Sequence, residues 1–235
     1  MDGARERGQA AVEAAITLPL TVFLILGTIQ LFMMLQARAM SHYAAARAAR
    51  AGSLKHGECD AMRHTAVAAL LPTLTQTRTP LELADAFDLR KNGKFFAAHD
   101  SGHRETMFWL IREEPQVRQN EEEEFDLGSA RPSTLVLRLI YFYPLRIPFA
   151  NWVISAITLG HFRLQDKAGG DPLIPVRKEA NWMGSGTVDG MIGAELLQRA
   201  ARKHYVMPIQ VSYSMRMMTP ARRQNFRQKE CTPFP

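Results

Sequence analysis

Glu13 is the first residue whose type and position suggest chemistry, because its carboxylate lies at the entrance of a long apolar stretch. It follows Gly8 by five positions, and between residues 14 and 35 the only strongly polar side chain is Gln30. An acidic residue at mid-bilayer depth costs roughly 2.5–3.5 kcal/mol, and less near the interface. The pattern therefore predicts a charged partner for Glu13, and the alternative is a carboxylate held at the level of the lipid headgroups.

The two cysteines, Cys59 and Cys231, are the next candidates. An extracytoplasmic compartment would allow them to form an intramolecular disulfide. They are too far apart in sequence to form a CxxC redox pair. The sequence leaves open whether they are bonded or are two free or buried thiols.

A third group of potentially reactive side chains lies in the stretch "HGECDAMRH". Zinc needs three or four converging ligands, and no second cluster supplies the remainder. The sequence contains no G-x-S-x-G, no H-E-x-x-H and no usable nucleophile–base pair. We therefore expect a protein that is not an enzyme and that holds neither a metal nor a cofactor.

The charge balance suggests an anionic partner but does not favour nucleic acid. The chain of 235 residues has a formal net charge of +6 and a hydrophobic content of 46%, enough for a packed core. Basic residues are scattered, and no run of them alternates with aromatic residues to form a stacking groove. The densest basic stretch, "TPARRQNFRQKE", is interpreted as a solvated C-terminal end.

The element that positions the acidic residue is the apolar segment 14–35. About twenty residues of helix cross a hydrocarbon core of ~30 Å, so this segment is predicted to span a membrane once. Pro19 is expected to kink it near its start. The positive-inside rule, applied to Arg38, Arg47 and Arg50, would place the following residues in the cytoplasm, so charge alone leaves the topology open.

The helix is expected to continue beyond the membrane, because "QARAMSHYAAARAARAG" is rich in strong helix formers and Gly52 offers a stop. Alanines spaced by four and three residues share one face, where another backbone could approach closely. The residues predicted to serve helix packing are Pro19, Ala44, Arg47, Ala48, Arg50 and Ala51.

The remaining chain is predicted to be α+β, with a small antiparallel sheet packed on helices. Strands are expected in "ETMFWLIRE", "STLVLRLIYFYPL" and "MPIQVSYSMRMM", the last with strict alternation of apolar and polar residues. Helices are expected in "IPFANWVISAITLGHF" and "VDGMIGAELLQRAARKHY". A helix capped by Asp60 and ended by Pro72 is expected to precede a capping box formed by Thr79 and Glu82, with Pro80 at the first helical position.

The N-terminal stretch resembles the TadE-like minor pseudopilins of tight-adherence (Tad) pili. Gly8 and Glu13 are spaced like the prepilin cleavage signature of type IV pilins. The matching residues are Gly8, Ala10, Ala11, Val12, Glu13, Leu18, Pro19, Ala45, Ala46, Arg47, Arg50 and Gly52. A looser similarity covers "LVLRLIYFYPLRIPFANWV" and the late "SYSMRM".

The resemblance implies a function and an organisation. A prepilin peptidase would cut after a leader of residues 1–8, leaving Gln9 as the N-terminus, and Glu13 would set subunit register by pairing with a neighbour's α-amine. Residues 9–52 would form the long helix, and residues 53–235 a globular domain in the periplasm. The implied protein is a non-enzymatic minor pseudopilin of a bacterial inner membrane. Its expected partners are other pilin-like subunits, the prepilin peptidase, an inner-membrane assembly platform and the lipid bilayer.

Two other interpretations remain open from the sequence. In one, the N-terminal helix is only an anchor for a periplasmic enzyme or binding domain. In the other, "QARA" provides a signal-peptide cleavage site ending at Ala39, and the protein is secreted.

Overall fold

The computed structural model describes residues 3–97, 100–115, 133–168, 187–222, 224–226 and 231. A long N-terminal helix, a small antiparallel sheet and further helices confirm the predicted α+β fold. The helices are α1 (Gly3–Leu54), α2 (Cys59–Leu74), α3 (Pro80–Arg90), α4 (Ala150–Ala168) and α5 (Thr187–Ala201). The strands are β1 (Lys94–Ala97), β2 (Asp100–Thr106), β3 (Phe108–Glu114), β4 (Thr134–Pro144) and β5 (Val206–Arg216).

The chain divides into two compact units. The first unit comprises Met1–Leu35 and Pro144–Met207, and the second comprises Gln36–Tyr143 and Pro208–Pro235. Helix α1 is continuous through Pro19 and contributes its N-terminal part to the first unit and its C-terminal part to the second.

The three strands predicted from the sequence form one sheet in the order β3-β4-β5. Strands β3 and β4 pair antiparallel, with Phe108 opposite Tyr141 and Leu110 opposite Leu139. Burial alternates at the start of β4 and becomes continuous from Leu139 to Tyr143, where the strand lies fully inside the protein. β-branched and aromatic residues suit this environment, which explains why these strands were readable from composition.

The hairpin formed by β1 and β2 was not predicted. Its strands pair antiparallel, with Lys94 opposite Thr106. Strand β2 reads "DSGHRET", which contains residues of low strand propensity, so its conformation depends on pairing with β1 rather than on local preference.

The prediction that Gly52 ends α1 was wrong. The helix continues to Leu54, and the chain turns at His56, whose φ is 54°, while the Gly57 N–H bonds to the Gly52 carbonyl at 2.8 Å. Glycine is needed at position 52 for packing instead. A Cβ there would lie 2.5 Å from the Met62 Sδ and 2.8 Å from the Leu135 Cδ2.

Both predicted ends of α2 were wrong. Its N-cap is Glu58, and Asp60 lies in the first turn, where it pairs with Arg63 at 2.7 Å. Pro72 lies within the helix, which ends at Leu74. A proline this close to the C-terminus disturbs only the final turn, so the helix tolerates it.

The predicted start of α3 was correct, with one change in the hydrogen bonds. The Thr79 hydroxyl accepts the Glu82 N–H at 3.2 Å, and Pro80 occupies the first helical position. The Glu82 carboxylate accepts the N–H of Arg78 at 2.8 Å, one residue before the position that a capping box prescribes.

Candidate functional site

The predicted processing motif lies at the start of α1. The backbones of Gly8 and Gln9 are helical, and Glu13 follows as an exposed residue. The Glu13 carbonyl accepts the Thr17 hydroxyl at 2.8 Å. Residues 9 and 13 are four positions apart, so they share one face of the helix at an axial separation of about 6 Å.

The following part of α1 exposes mainly apolar side chains. Thr17, Thr21 and Thr28 donate their hydroxyl hydrogens to the carbonyls four residues earlier, each at 2.8 Å. Within the described residues, α1 is the one helix that is long and apolar enough to cross a membrane. Its most exposed large apolar side chains are Val12, Ile16, Leu18, Leu20, Leu24, Ile25, Leu31, Phe32 and Leu35.

Gln30 interrupts this apolar surface but is itself fully buried. Its Oε1 accepts the backbone N–H of Ile147 at 2.9 Å, within the first unit. A polar side chain in a membrane segment is costly when it faces lipid without a partner. The loop that contains Ile147 supplies that partner for the amide oxygen, while the Gln30 Nε2 is buried without a hydrogen bond among the described residues.

The C-terminal part of α1 buries a face made of small residues. This face packs inside the second unit, because a helix without large side chains allows its neighbours to approach closely. Its members are Ala37, Ser41, Ala44, Ala45, Ala48, Ala49 and Gly52. Ala44 and Ala48 are therefore occupied by the chain's own fold, and Ala51 is half-buried at the edge of this face.

The opposite face of the same segment carries exposed cationic and aromatic side chains. Arg47 and Arg50 lie on it, and the Arg47 guanidinium carbon is 5.9 Å from the centroid of the Tyr43 ring. Of the residues predicted for packing, Pro19, Arg47 and Arg50 are exposed. This outward face is the part of the extension that remains accessible in a single subunit.

The segment after β5 hydrogen-bonds to the backbone at the end of α1, and we call this set of contacts the closure. The Thr219 hydroxyl accepts the His56 N–H at 3.0 Å and donates to the Ser53 carbonyl at 2.9 Å. In a Schellman ending, the N–H at the position of His56 would bond directly to the Ser53 carbonyl. Here a side chain more than 160 residues later in the chain bridges the two groups.

Arg112 reinforces this closure from strand β3. It is almost fully buried, its Nη1 donates to the Gly57 carbonyl at 2.8 Å, and its guanidinium carbon lies 4.6 Å from the centroid of the Phe226 ring. Burial lowers the pKa of Arg112 to about 10, so the side chain keeps its charge at neutral pH. The Asn225 side chain adds a bond of 2.9 Å to the His56 carbonyl.

A disulfide joins Cys59, at the start of α2, to Cys231, with their Cα atoms 4.9 Å apart. The Cys231 N–H also bonds to the Leu110 carbonyl at 2.8 Å. These contacts join Cys231 to the start of α2 and to strand β3.

The interpretation of "TPARRQNFRQKE" as a solvated end was wrong for its described part. Thr219, Asn225 and Phe226 all contact the residues that follow α1. Sequence reasoning missed them because a closure of this kind depends on contacts across the whole chain. The glycine at position 57 was one local signal in the sequence. In the structure its φ is 76°, and the Phe226 ring leaves no room for a side chain there.

The stretch "HGECDAMRH" does not form a metal site in the part of the chain that the structure describes, where no three His, Cys, Asp or Glu side chains converge. Cys59 is engaged in the disulfide, and His56 Nδ1 lies 2.8 Å from the Pro220 carbonyl oxygen.

Comparison with known families identifies the N-terminal segment. Residues 8–50 match the family model described as TadE-like protein. Searches among curated proteins and among solved structures gave no match. The matched segment runs from Gly8 through Glu13 and the apolar helix to Arg50. The resemblance seen in the motif is confirmed for residues 8–50, which are similar to the TadE-like family of pilus components.

Proposed function

We propose that this protein is a minor pseudopilin of a Tad-type pilus or secretion machinery, anchored in the bacterial inner membrane with residues 53–235 in the periplasm. The observation that carries the proposal is the continuity of α1 from Gly3 to Leu54. One helix joins the TadE-like motif, the exposed apolar segment and the buried face of the second unit.

In this proposal, a prepilin peptidase at the cytoplasmic face cleaves the peptide bond between Gly8 and Gln9. That bond lies within α1, so the first turns of the helix must open before it can be cut. Cleavage leaves a positive α-amine at the positive end of the helix dipole. Glu13, one turn further on, is placed to offset this charge, either in its own subunit or in a neighbour.

Pairing between subunits gives the carboxylate its proposed register role. Unlike charges attract strongly at low dielectric, and each is costly when left alone there. A pair between Glu13 and the amine of an adjacent Gln9 would fix the axial offset of two packed helices. The stability gained is expected to be small in comparison with this effect on position.

The surface available for packing differs from the one predicted from the alanine spacing. Ala44 and Ala48 are buried within the subunit, so contacts between subunits are assigned to the exposed apolar side chains of residues 12–35 and to the outward arginines. Lateral association would exchange lipid contacts for helix contacts, assisted by the inner-membrane assembly platform.

Substitution of Glu13 tests the register role. Glu13→Gln keeps the side-chain shape and removes the charge, and we expect loss of pilus assembly and of crosslinking from a photoreactive residue at position 16. Glu13→Asp should retain part of both signals, and Asp85→Asn, an exposed carboxylate on α3, should leave them unchanged. Normal assembly with Glu13→Gln would overturn the proposed role.

Replacement of residues 14–35 by an unrelated membrane span separates this function from a simple anchor. A pilin-like subunit should lose assembly activity, because the packing surface is removed while the anchor is retained. A tethered periplasmic domain would keep its function.

A further inference from the structure

Among the side chains of α4 that the structure describes, residues 150–160, the outward ones are more apolar than the buried ones. Trp152 and Ile157 are 60% and 68% exposed, and Phe149, just before the helix, is 73% exposed. The buried positions are instead occupied by Ala150, Ser155 and Thr158. A helix on a water-exposed surface normally has the opposite arrangement, with polar side chains outward.

The backbone at Phe149 adds to this observation. Its φ is 65°, a left-handed conformation that is unfavourable for a bulky side chain. A large apolar residue in this conformation, with its ring directed outward, indicates that the exposed position serves a purpose.

The position of α4 within the first unit points to what covers this face. Ile147, three residues before the helix, is bonded to Gln30 of α1. Gln30 lies five residues before Leu35, so it is about 7.5 Å from the C-terminal end of the apolar segment. The exposed side chains of Leu31 and Phe32 continue the apolar surface at the same level.

We propose that α4 is an interfacial membrane helix whose Phe149, Trp152 and Ile157 side chains insert into the bilayer that α1 crosses. The proposal rests on the membrane span of α1 and is independent of pilus assembly. Tryptophan prefers the membrane–water interface, and amphipathic helices enter the headgroup and acyl boundary by about 5–10 Å. The depth of Gln30 in α1 matches that range.

The lipid is favoured over a protein partner because the loop that leads into α4 is bonded to α1 at the level of exposed Leu31 and Phe32, inside the proposed membrane span. The consequence is a second membrane contact for the first unit. The subunit would be held at the bilayer by both a span and a surface helix, and it would have to release both when it leaves the membrane.

Fluorescence quenching of Trp152 in the full chain reconstituted into liposomes tests the proposal. The chain has three tryptophans, and the signal of Trp152 is the difference between wild type and Trp152→Phe, a change at an exposed residue. We expect strong loss of this signal with lipids brominated near the headgroup, weaker loss with bromine near the chain ends, and little loss with aqueous iodide.

Quenching by iodide alone would overturn the proposal, because the face would then lie in water. Protection from both quenchers would also overturn it and would indicate cover by a second copy or a partner subunit. Phe23→Trp, made in the Trp152→Phe background, reports on α1. If bromine near the chain ends quenches Trp at position 23 but lipid bromine does not quench Trp152, only the interfacial proposal fails. If neither is quenched, the membrane span itself is wrong.

Discussion

The side-chain oxygen of Gln30 accepts a hydrogen bond of 2.9 Å from the backbone N–H of Ile147, although the two residues are 117 positions apart. The bond connects the polar residue of the apolar part of α1 to the loop that precedes α4. It gives the oxygen of this glutamine a partner in a segment that otherwise suits hydrocarbon.

Gln30→Leu should loosen this loop. The Ile147 N–H would lose its partner, at a cost of about 1 kcal/mol, which corresponds to roughly fivefold faster local opening. Hydrogen–deuterium exchange of the peptide around Ile147 measures this change. Ile29→Leu, at the exposed neighbouring position, is the control, and unchanged exchange in Gln30→Leu would show that the bond does not hold the loop.

Gly52→Ala should destabilise the second unit by about 1–3 kcal/mol, because the added methyl group overlaps two buried side chains. Met62 and Leu135 are both fully buried, so their side chains must shift within a packed core to admit the methyl group. Thermal unfolding in detergent, followed by near-ultraviolet circular dichroism, gives the change in stability.

Gly190→Ala is the matched control for that substitution. Gly190 is also helical, and a Cβ there meets nothing within 4 Å. Its replacement should be neutral or stabilising by up to about 1 kcal/mol. Equal effects of the two substitutions would contradict the packing role assigned to Gly52.

Arg112→Met should weaken the closure at the end of α1. The Gly57 carbonyl loses a charged donor, at a cost of about 1.5–3 kcal/mol, and the contact with the Phe226 ring is lost as well. Arg138→Met on the adjacent strand removes a partly exposed ion pair with Glu113 and should cost less than about 1 kcal/mol. Similar unfolding temperatures for the two variants would argue against the proposed closure.

Removal of the disulfide should cost about 2–5 kcal/mol, because the bond restricts a long loop in the unfolded chain. Cys59→Ala/Cys231→Ala and reduced wild type are expected to unfold at the same lower temperature. Peptide mapping without reductant should recover residues 59 and 231 in one linked peptide. Two free thiols in protein taken from its native membrane would contradict this pairing.

The main elements of the fold were predictable because their signals are local. The strands β3, β4 and β5 have continuous or alternating apolar patterns, and Thr79 with Pro80 marks the start of α3. The ends of α1 and α2 were not predictable in this way. Gly52 looks like a helix stop in sequence, and only its contacts with Met62 and Leu135 reveal a packing role.

The same distinction applies to the candidate site. The spacing of Gly8 and Glu13 and the apolar segment after them identified the TadE-like segment, which the family comparison confirms. The alanines of the extension were recognised as a packing face, but the sequence could not show that the packing partner is the chain itself. Thr219 and Arg112 carried no local signal, because their roles depend on contacts with residues far away in sequence.

The most direct test of the account is the N-terminus of the protein isolated from its host's membranes, determined by intact mass and N-terminal peptide sequencing. Prepilin-type processing predicts a chain that begins at Gln9, with a free α-amine one helical turn from Glu13. A chain that retains Met1 would contradict processing and favour a tethered domain. A chain that begins near Met40 would show that the apolar helix is a removed signal sequence, which would also contradict the account.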